Sequence, residues 1–166
     1  SIFPFEKKYF AKTRLKPTYV GHPLIEDTLT SQVNHQWETS FERPAQAKLI
    51  SIFPGSRLQE IQLNLPKILL ACEQIDRTSD PLFFVVSVTR ENLKEPILKA
   101  IEKSGLSLDQ DIHLVDSSQN AQLMHHSYAA IATSGTINFE LAVLKVPTIV
   151  VYHLTKINAW IAKKIL

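Results

Sequence analysis

The chain has 166 residues, which suits one globular domain and little more. Eighteen Lys and Arg against 16 Asp and Glu leave a net charge of +2, too mild for a nucleic-acid arm or an acidic tail, and 45% hydrophobic residues with 20% charged ones exclude a disordered chain. No apolar run approaches the ~18 residues of a spanning helix, and a single cysteine, Cys72, excludes an internal disulfide and a Cys-based metal cluster.

The opening segment SIFPFEKKYF lacks a basic region followed by a long apolar core, so it is not a signal peptide. It starts without Met and in mid-pattern, and is expected to continue from an earlier segment. Residues 1–22 do not join the rhythm of the rest and read as a linker or the tail of a preceding domain. Residues 24–29 carry a helical stretch, and the remainder of 26–46 is polar without a clear period. Ala47–Phe53 (AKLISIF) then reads as a buried strand closed by Pro54-Gly55. From Arg57 onward, Ile61, Leu65, Ile68, Leu69, Cys72 and Ile75 recur at helical spacing, which places Cys72 in an apolar core. Leu82–Val88 predicts a strand, and Glu91–Lys103 a helix stopped near Gly105. Asp111–Val115 predicts a short strand, Gln119–His126 two helical turns, Tyr128–Thr133 a strand, Ile137–Leu144 a helix and Pro147–Tyr152 a strand. A last helix is expected over Lys156–Leu166, with Ile157, Trp160, Ile161 and Ile165 on one face. Such a basic amphipathic helix can lie on a membrane, but is read here as packing on the protein.

Strands that alternate with helices and are apolar on both faces imply a parallel sheet covered on both sides. The fold class is therefore α/β, a doubly wound, mostly parallel, Rossmann-like sheet. Ligands of such sheets bind at the carboxyl ends of the strands, so the turns that follow the strands are where chemistry is sought.

Pro54-Gly55-Ser56-Arg57 follows a strand and opens a helix. Glycine permits a tight turn and close backbone approach. The helix start offers unpaired N–H groups and partial positive charge for a phosphate. Ser56 can cap the helix or donate to a phosphate oxygen, and Arg57 adds a bidentate cationic fork. Thr133-Ser134-Gly135-Thr136 repeats the arrangement after another strand. Glu140, one helical turn in on the same side, could accept from both hydroxyls of a ribose. Two such turns in one sheet favour a nucleotide over either turn's alternative of a simple capped turn. Neither is a Walker A loop nor a G-x-G-x-x-G turn, so an ATPase or an NAD enzyme is not supported. Asp116-Ser117-Ser118-Gln119 ends a third strand, where backbone groups of Val115 and Asp116 could read a base edge. No metal site is expected: His125 and His126 lack a carboxylate or Cys at ligand spacing and read as favourable charge at a helix end. His22 marks a bend, and His113 falls in a strand.

The pieces FPFEKKYF (3–10), YVGHPL (19–24), IFPGSRLQEI (52–61), ATSGTINFELAVLKVPTIVVY (132–152) and INAWIAKKIL (157–166) together resemble the lipid-A-disaccharide synthase family. They appear in that family's order over nearly the whole chain. The resemblance implies a bacterial glycosyltransferase of lipid A biosynthesis with two Rossmann-like domains, the GT-B arrangement. It implies inverting transfer of 2,3-diacylglucosamine from UDP to 2,3-diacylglucosamine 1-phosphate, forming a β-1,6 disaccharide. Residues 1–22 would end the acceptor domain or link it, and 23–166 would form the UDP-sugar domain, incomplete at its C-terminal end. The general base would lie on the acceptor domain. By resemblance, Ser134, Gly135 and Thr136 cradle the diphosphate, Glu140 binds the ribose, and Val115 and Asp116 flank the uracil. Arg57, with Gly55 and Ser56, faces the diphosphate and is the catalytic residue, stabilising charge on leaving UDP. Asn138 stands where the family often has a small residue. No cofactor and no metal is expected, and no nucleic-acid partner. The setting is the cytoplasm, with peripheral contact at the inner face of the cytoplasmic membrane. Another UDP-sugar transferase or epimerase on this architecture, or a non-catalytic nucleotide-binding module, remains an alternative.

Overall fold

The computed structural model describes residues 1–44, 46–75 and 81–153; the expected helix over 156–166 lies outside the described residues. The chain divides into two compact units, Ser1–Gln32 and Val33–Leu166. The first holds a 3-10 helix, Pro4–Phe10, and helix α1, Pro23–Thr30. Glu6 fixes the 3-10 helix by accepting the N–H groups of Ile2 (2.9 Å) and Phe3 (3.0 Å). His22 is more than a bend: its Nδ1 accepts the Leu24 N–H at 3.3 Å and caps α1, and Pro23 supplies the first helical φ. α1 thus clusters with the residues before it.

The second unit runs β1 (Lys48–Phe53), α2 (Leu58–Gln74), β2 (Leu82–Val88), α3 (Glu91–Glu102), β3 (Ile112–Asp116), α4 (Asn120–His125), β4 (Ala129–Thr133), α5 (Ile137–Val143) and β5 (Thr148–Val151). All strand pairs are parallel, in the order β3-β2-β1-β4-β5. Period-two alternation divides each strand between two cores. Ile52, Phe84, Val86, Val88 and Ile112 join Ile61, Leu65 and Leu69 of α2 and Leu93, Ile97 and Ile101 of α3 on one face. Leu49, Phe53, Phe83, Val85, Ala130 and Ala132 join Leu123 of α4 and Leu141 of α5 on the other. Phe83 to Val86 are fully buried, as a central parallel strand requires. Each of these side chains contributes about 1.5–3 kcal/mol of transfer free energy. Cys72 is buried in the first core, as the spacing predicts.

Two local differences from the sequence expectation have clear causes. The stretch 117–126 is a 3-10 turn (Ser117–Gln119) followed by α4, because the Asp116 carboxylate accepts the Ser118 N–H at 2.8 Å and tightens the start. The polar segment before β1 is not a plain loop. Trp37 and Phe41 are buried in the second core. Trp37 Nε1 donates to Gln119 Oε1 at 2.7 Å, and its ring stacks on His126 at 5.5 Å. His126 Nδ1 lies 3.1 Å from Glu38 Oε1, so it serves as a clip for this segment. Burial and the neighbouring His126 push the His125 imidazole below the ordinary histidine range, against a role as helix-end charge. His113 lies in β3 as expected, with its Nδ1 2.6 Å from Asp109 Oδ1.

Candidate functional site

In an open α/β sheet the crevice forms where strand order reverses. Here that point is between β1 and β4, and the two glycine turns stand on either side of it. They enclose a cavity of about 350 Å³. Gly55, Ser56 and Arg57 line it from the β1 turn, Ser134, Gly135, Thr136 and Glu140 from the β4 side, Ser87 and Thr89 from the end of β2, and Asn120 from the start of α4. Seven of the nine site residues expected from sequence therefore meet in one place.

The β1 turn is tightly built. Gly55 has φ +110°, a conformation L side chains rarely adopt. A Cβ there would fall onto the Glu60 carboxylate and stand 3.2 Å from Thr133 Oγ1. Glu60 Oε2 accepts the N–H groups of Ser56 (2.9 Å) and Arg57 (3.3 Å). Its Oε1 lies 3.2 Å from Arg57 Nη1. The cap at the start of α2 is thus Glu60, three residues into the capping pattern, and not the Ser56 hydroxyl. The Gly55 carbonyl accepts from Thr89 Oγ1 at 3.0 Å, which ties the turn to the end of β2. Thr133 Oγ1 donates to the Phe53 carbonyl at 3.4 Å and joins the ends of β4 and β1 behind the cavity.

The β4 turn is open. Ser134, Gly135 and Thr136 are all exposed, and a Cβ on Gly135 would meet nothing within 4 Å. At the start of α5 the Asn138 N–H donates to the Gly135 carbonyl at 3.3 Å and the Phe139 N–H to the Thr136 carbonyl at 2.9 Å, so the exposed hydroxyls of Ser134 and Thr136 are the donors this turn presents. Asn138 braces the turn from below, its Nδ2 donating to the carbonyls of Thr133 (2.9 Å) and Gly135 (3.2 Å). Its Oδ1 is buried without a partner among the described residues.

Glu140 projects into the cavity from α5, half-buried and without a side-chain partner among the described residues. Desolvation pushes its carboxyl above the usual range. On the opposite side Ser87, 2% exposed, donates to Asn120 Oδ1 at 2.6 Å. That bond orients the Asn120 amide and leaves its NH₂ without a protein partner among the described residues.

Val115 and Asp116 do not line the cavity. Val115 is buried in the core, and Asp116 sits exposed at the end of β3, one strand beyond β2. Hydrogen bonds from Ser118 hold the Asp116 carboxyl below its usual range, so that side chain is engaged in local capping. Glu60, Ser87, Thr89 and Asn120 are cavity residues that the motif reading passes over. Glu60 carries a signal, its offset of three from Arg57. Ser87 carries another, as a hydroxyl in the apolar run LFFVVSV. Among the described residues no group of three His, Cys, Asp or Glu side chains is placed to hold a metal, and no helix is long and apolar enough to cross a membrane.

A family profile described as Lipid-A-disaccharide synthetase matches residues 1–166. The chain belongs to that family. A lipid-A-disaccharide synthase of Gloeothece citriformis is 32% identical to it over 167 residues, covering 100% of this chain and 42% of that protein. The synthases of Synechocystis (28%) and Coxiella burnetii (27%) match 99% of the chain and 41% and 42% of their own lengths. The chain thus spans about two-fifths of these lipid-A-disaccharide synthases. The five-stranded parallel sheet with helices on both faces agrees with one Rossmann-like half of such a protein.

Proposed function

We propose that this chain is the donor-nucleotide part of a lipid-A-disaccharide synthase, an inverting glycosyltransferase of the GT-B type. The reaction is attack of a hydroxyl of 2,3-diacylglucosamine 1-phosphate on the anomeric carbon of UDP-2,3-diacylglucosamine. A β-1,6 glycosidic bond forms, the bond to the UDP phosphate breaks, and UDP leaves with the electron pair. The observation that carries this reading is Glu140: a half-buried, unpartnered carboxylate in the cavity, beside a turn whose Ser134 and Thr136 hydroxyls are exposed. Such a group is costly unless donors reach it, and the two hydroxyls of a ribose are such donors.

Ser134 and Thr136 receive the diphosphate through their hydroxyls, and Gly135 lets it approach the backbone of the turn closely. Arg57 faces the same phosphates across the crevice with Gly55 and Ser56. It neutralises the charge that grows on UDP as the bond breaks, which acts in the transition state more than in the ground state. With that charge met by Arg57 and the hydroxyls of the β4 turn, no metal or cofactor is invoked. The uracil is assigned to the end of β3, one strand beyond the β2 residues that line the cavity, where backbone groups of Val115 and Asp116 flank it. Residues 1–22 belong to the end of the acceptor domain or its linker, and acceptor site and general base are assigned to the rest of the synthase. Both substrates carry acyl chains, so the protein works from the cytoplasm at the inner face of the cytoplasmic membrane, as a peripheral partner of that surface.

The test uses the full-length protein carrying this chain, with UDP and 2′-deoxy-UDP titrated calorimetrically against wild type and Glu140→Ala. Loss of a charged hydrogen-bond acceptor should weaken UDP about 10- to 100-fold and erase its advantage over the deoxy analogue. Equal loss for both nucleotides, or none, would remove Glu140 from the ribose site.

A further inference from the structure

The charge balance of the cavity raises a question that the nucleotide reading leaves open. Among the described lining residues there is one cation, Arg57, and there are two carboxylates, Glu60 and Glu140. The cation is already engaged, its Nη1 lying 3.2 Å from Glu60 Oε1. The Arg57 side chain is 81% exposed, while the Glu60 side chain is 24% exposed and held by two backbone N–H groups. Gly55 makes this possible, since any Cβ there would occupy the place of the carboxylate. Glu60 therefore stands on the donor set that an anion approaching this turn would use.

We propose that Glu60 is an internal competitor for Arg57: a diphosphate that reaches the guanidinium must take it from the Glu60 carboxylate, and Glu60 thereby limits how tightly the anion is held. This rests on the diphosphate being the group that Arg57 faces. The exchange is a trade of one ion pair for another. Glu60 keeps its two backbone bonds throughout, so the turn stays closed while the guanidinium changes partner. The repulsion between Glu60 and the phosphates remains, and this favours release of a diphosphate product. Glu60 is a positioning residue in this scheme and touches Arg57 in place of the substrate.

The proposal makes an unusual demand, that removing a charged side chain from the site should improve binding. Glu60→Gln keeps an amide oxygen for the Ser56 and Arg57 N–H groups but cannot pair with Arg57 as an ion. In the full-length protein, inorganic diphosphate, UDP and uridine are titrated against wild type, Glu60→Gln, Arg57→Ala and the double variant. The expected result is a Kd for diphosphate and UDP about two- to fivefold lower in Glu60→Gln, the range of a partly exposed ion pair. Uridine should be unaffected, and the gain should vanish in the Arg57→Ala background. An unchanged or higher Kd for diphosphate in Glu60→Gln, or a gain that persists without Arg57, would make Glu60 a helix cap only. Glu60→Ala, which removes cap and charge together, should lower the melting temperature where Glu60→Gln does not. The nucleotide reading fails on a different observation: uridine unbound and UDP no tighter than inorganic diphosphate. In that case the diphosphate series alone still decides the exchange.

Discussion

The two glycine turns that flank the crevice look alike in sequence and are built in opposite ways. In Pro54–Arg57 the glycine has a positive φ, its Cβ position is filled by Glu60, and the Ser56 and Arg57 N–H groups are satisfied by that carboxylate. In Ser134–Thr136 the glycine faces open space and the hydroxyls are exposed. The first turn is a rigid mount that fixes where Arg57 begins. The second has polar groups to spare for a ligand. A preorganised charge is useful in a transition state only if its mount does not have to rearrange, whereas a phosphate cradle needs donors that are not already used. Similar strand–glycine–helix punctuation thus supports two different tasks.

The sharpest way to break this contrast is Arg57 itself. In the full-length protein, Arg57→Ala should reduce kcat about 10²- to 10³-fold with a smaller change in KM. Arg57→Lys should recover part of it, because charge is kept and the bidentate fork is lost. A folded alanine variant with near-normal kcat would reduce the first turn to a structural cap. Next is the glycine pair. Gly55→Ala should cost about 2–4 kcal/mol, from the positive φ and the collision with Glu60. Gly135→Ala meets no atom, so its cost should stay within about 1 kcal/mol. Chemical denaturation of both variants decides this, and equal costs would refute the asymmetry.

Asn138→Asp probes the brace under the open turn. It would set a carboxylate oxygen against the carbonyls of Thr133 and Gly135, with an expected loss of about 1–3 kcal/mol in the same denaturation experiment. The smallest effect is a pH dependence. The folded-state value of Glu140 is raised by desolvation, so its ionised form weighs against folding. That penalty is absent below the ordinary glutamate range and is complete above the raised value. Glu140→Gln should therefore melt slightly higher than wild type at neutral pH, and the difference should fade as pH falls through the carboxylate range. A variant that melts lower at neutral pH would mean that Glu140 has a stabilising partner.

Much of the unit from β1 to β5 can be read from the residues alone. LFFVVSV and KLISIF are too apolar for surface strands, and Ile61, Leu65, Ile68 and Leu69 follow the helical period, so the alternation of elements follows from local pattern. Less legible was the stretch before β1, where Trp37 and Phe41 sit in polar sequence without a period. They enter the core because of what lies 82 and 42 residues further on, Gln119 and the stacked ring of Phe83.

What the sequence determined by itself is the set of parts: parallel-type strands, helices, two glycine turns after strands, an arginine and a glutamate at fixed offsets within their helices. These depend on periods and turn chemistry that act within a few residues. Only the tertiary structure decided which groups meet and which are already engaged. The strand order puts β1 beside β4, so turns almost eighty residues apart share a cavity, and Ser87 finds Asn120 across 33 residues. It also leaves Val115 and Asp116 outside that cavity, at the end of β3. Glu60 shows the limit most clearly. Its offset from Arg57 is written in the chain, yet that its carboxylate fills the space over Gly55, a position that Thr133 of β4 also approaches, depends on how β1 and β4 pair. Hydrogen-bond partners across a sheet are set by register and by the room that neighbouring strands leave, and local periodicity carries neither.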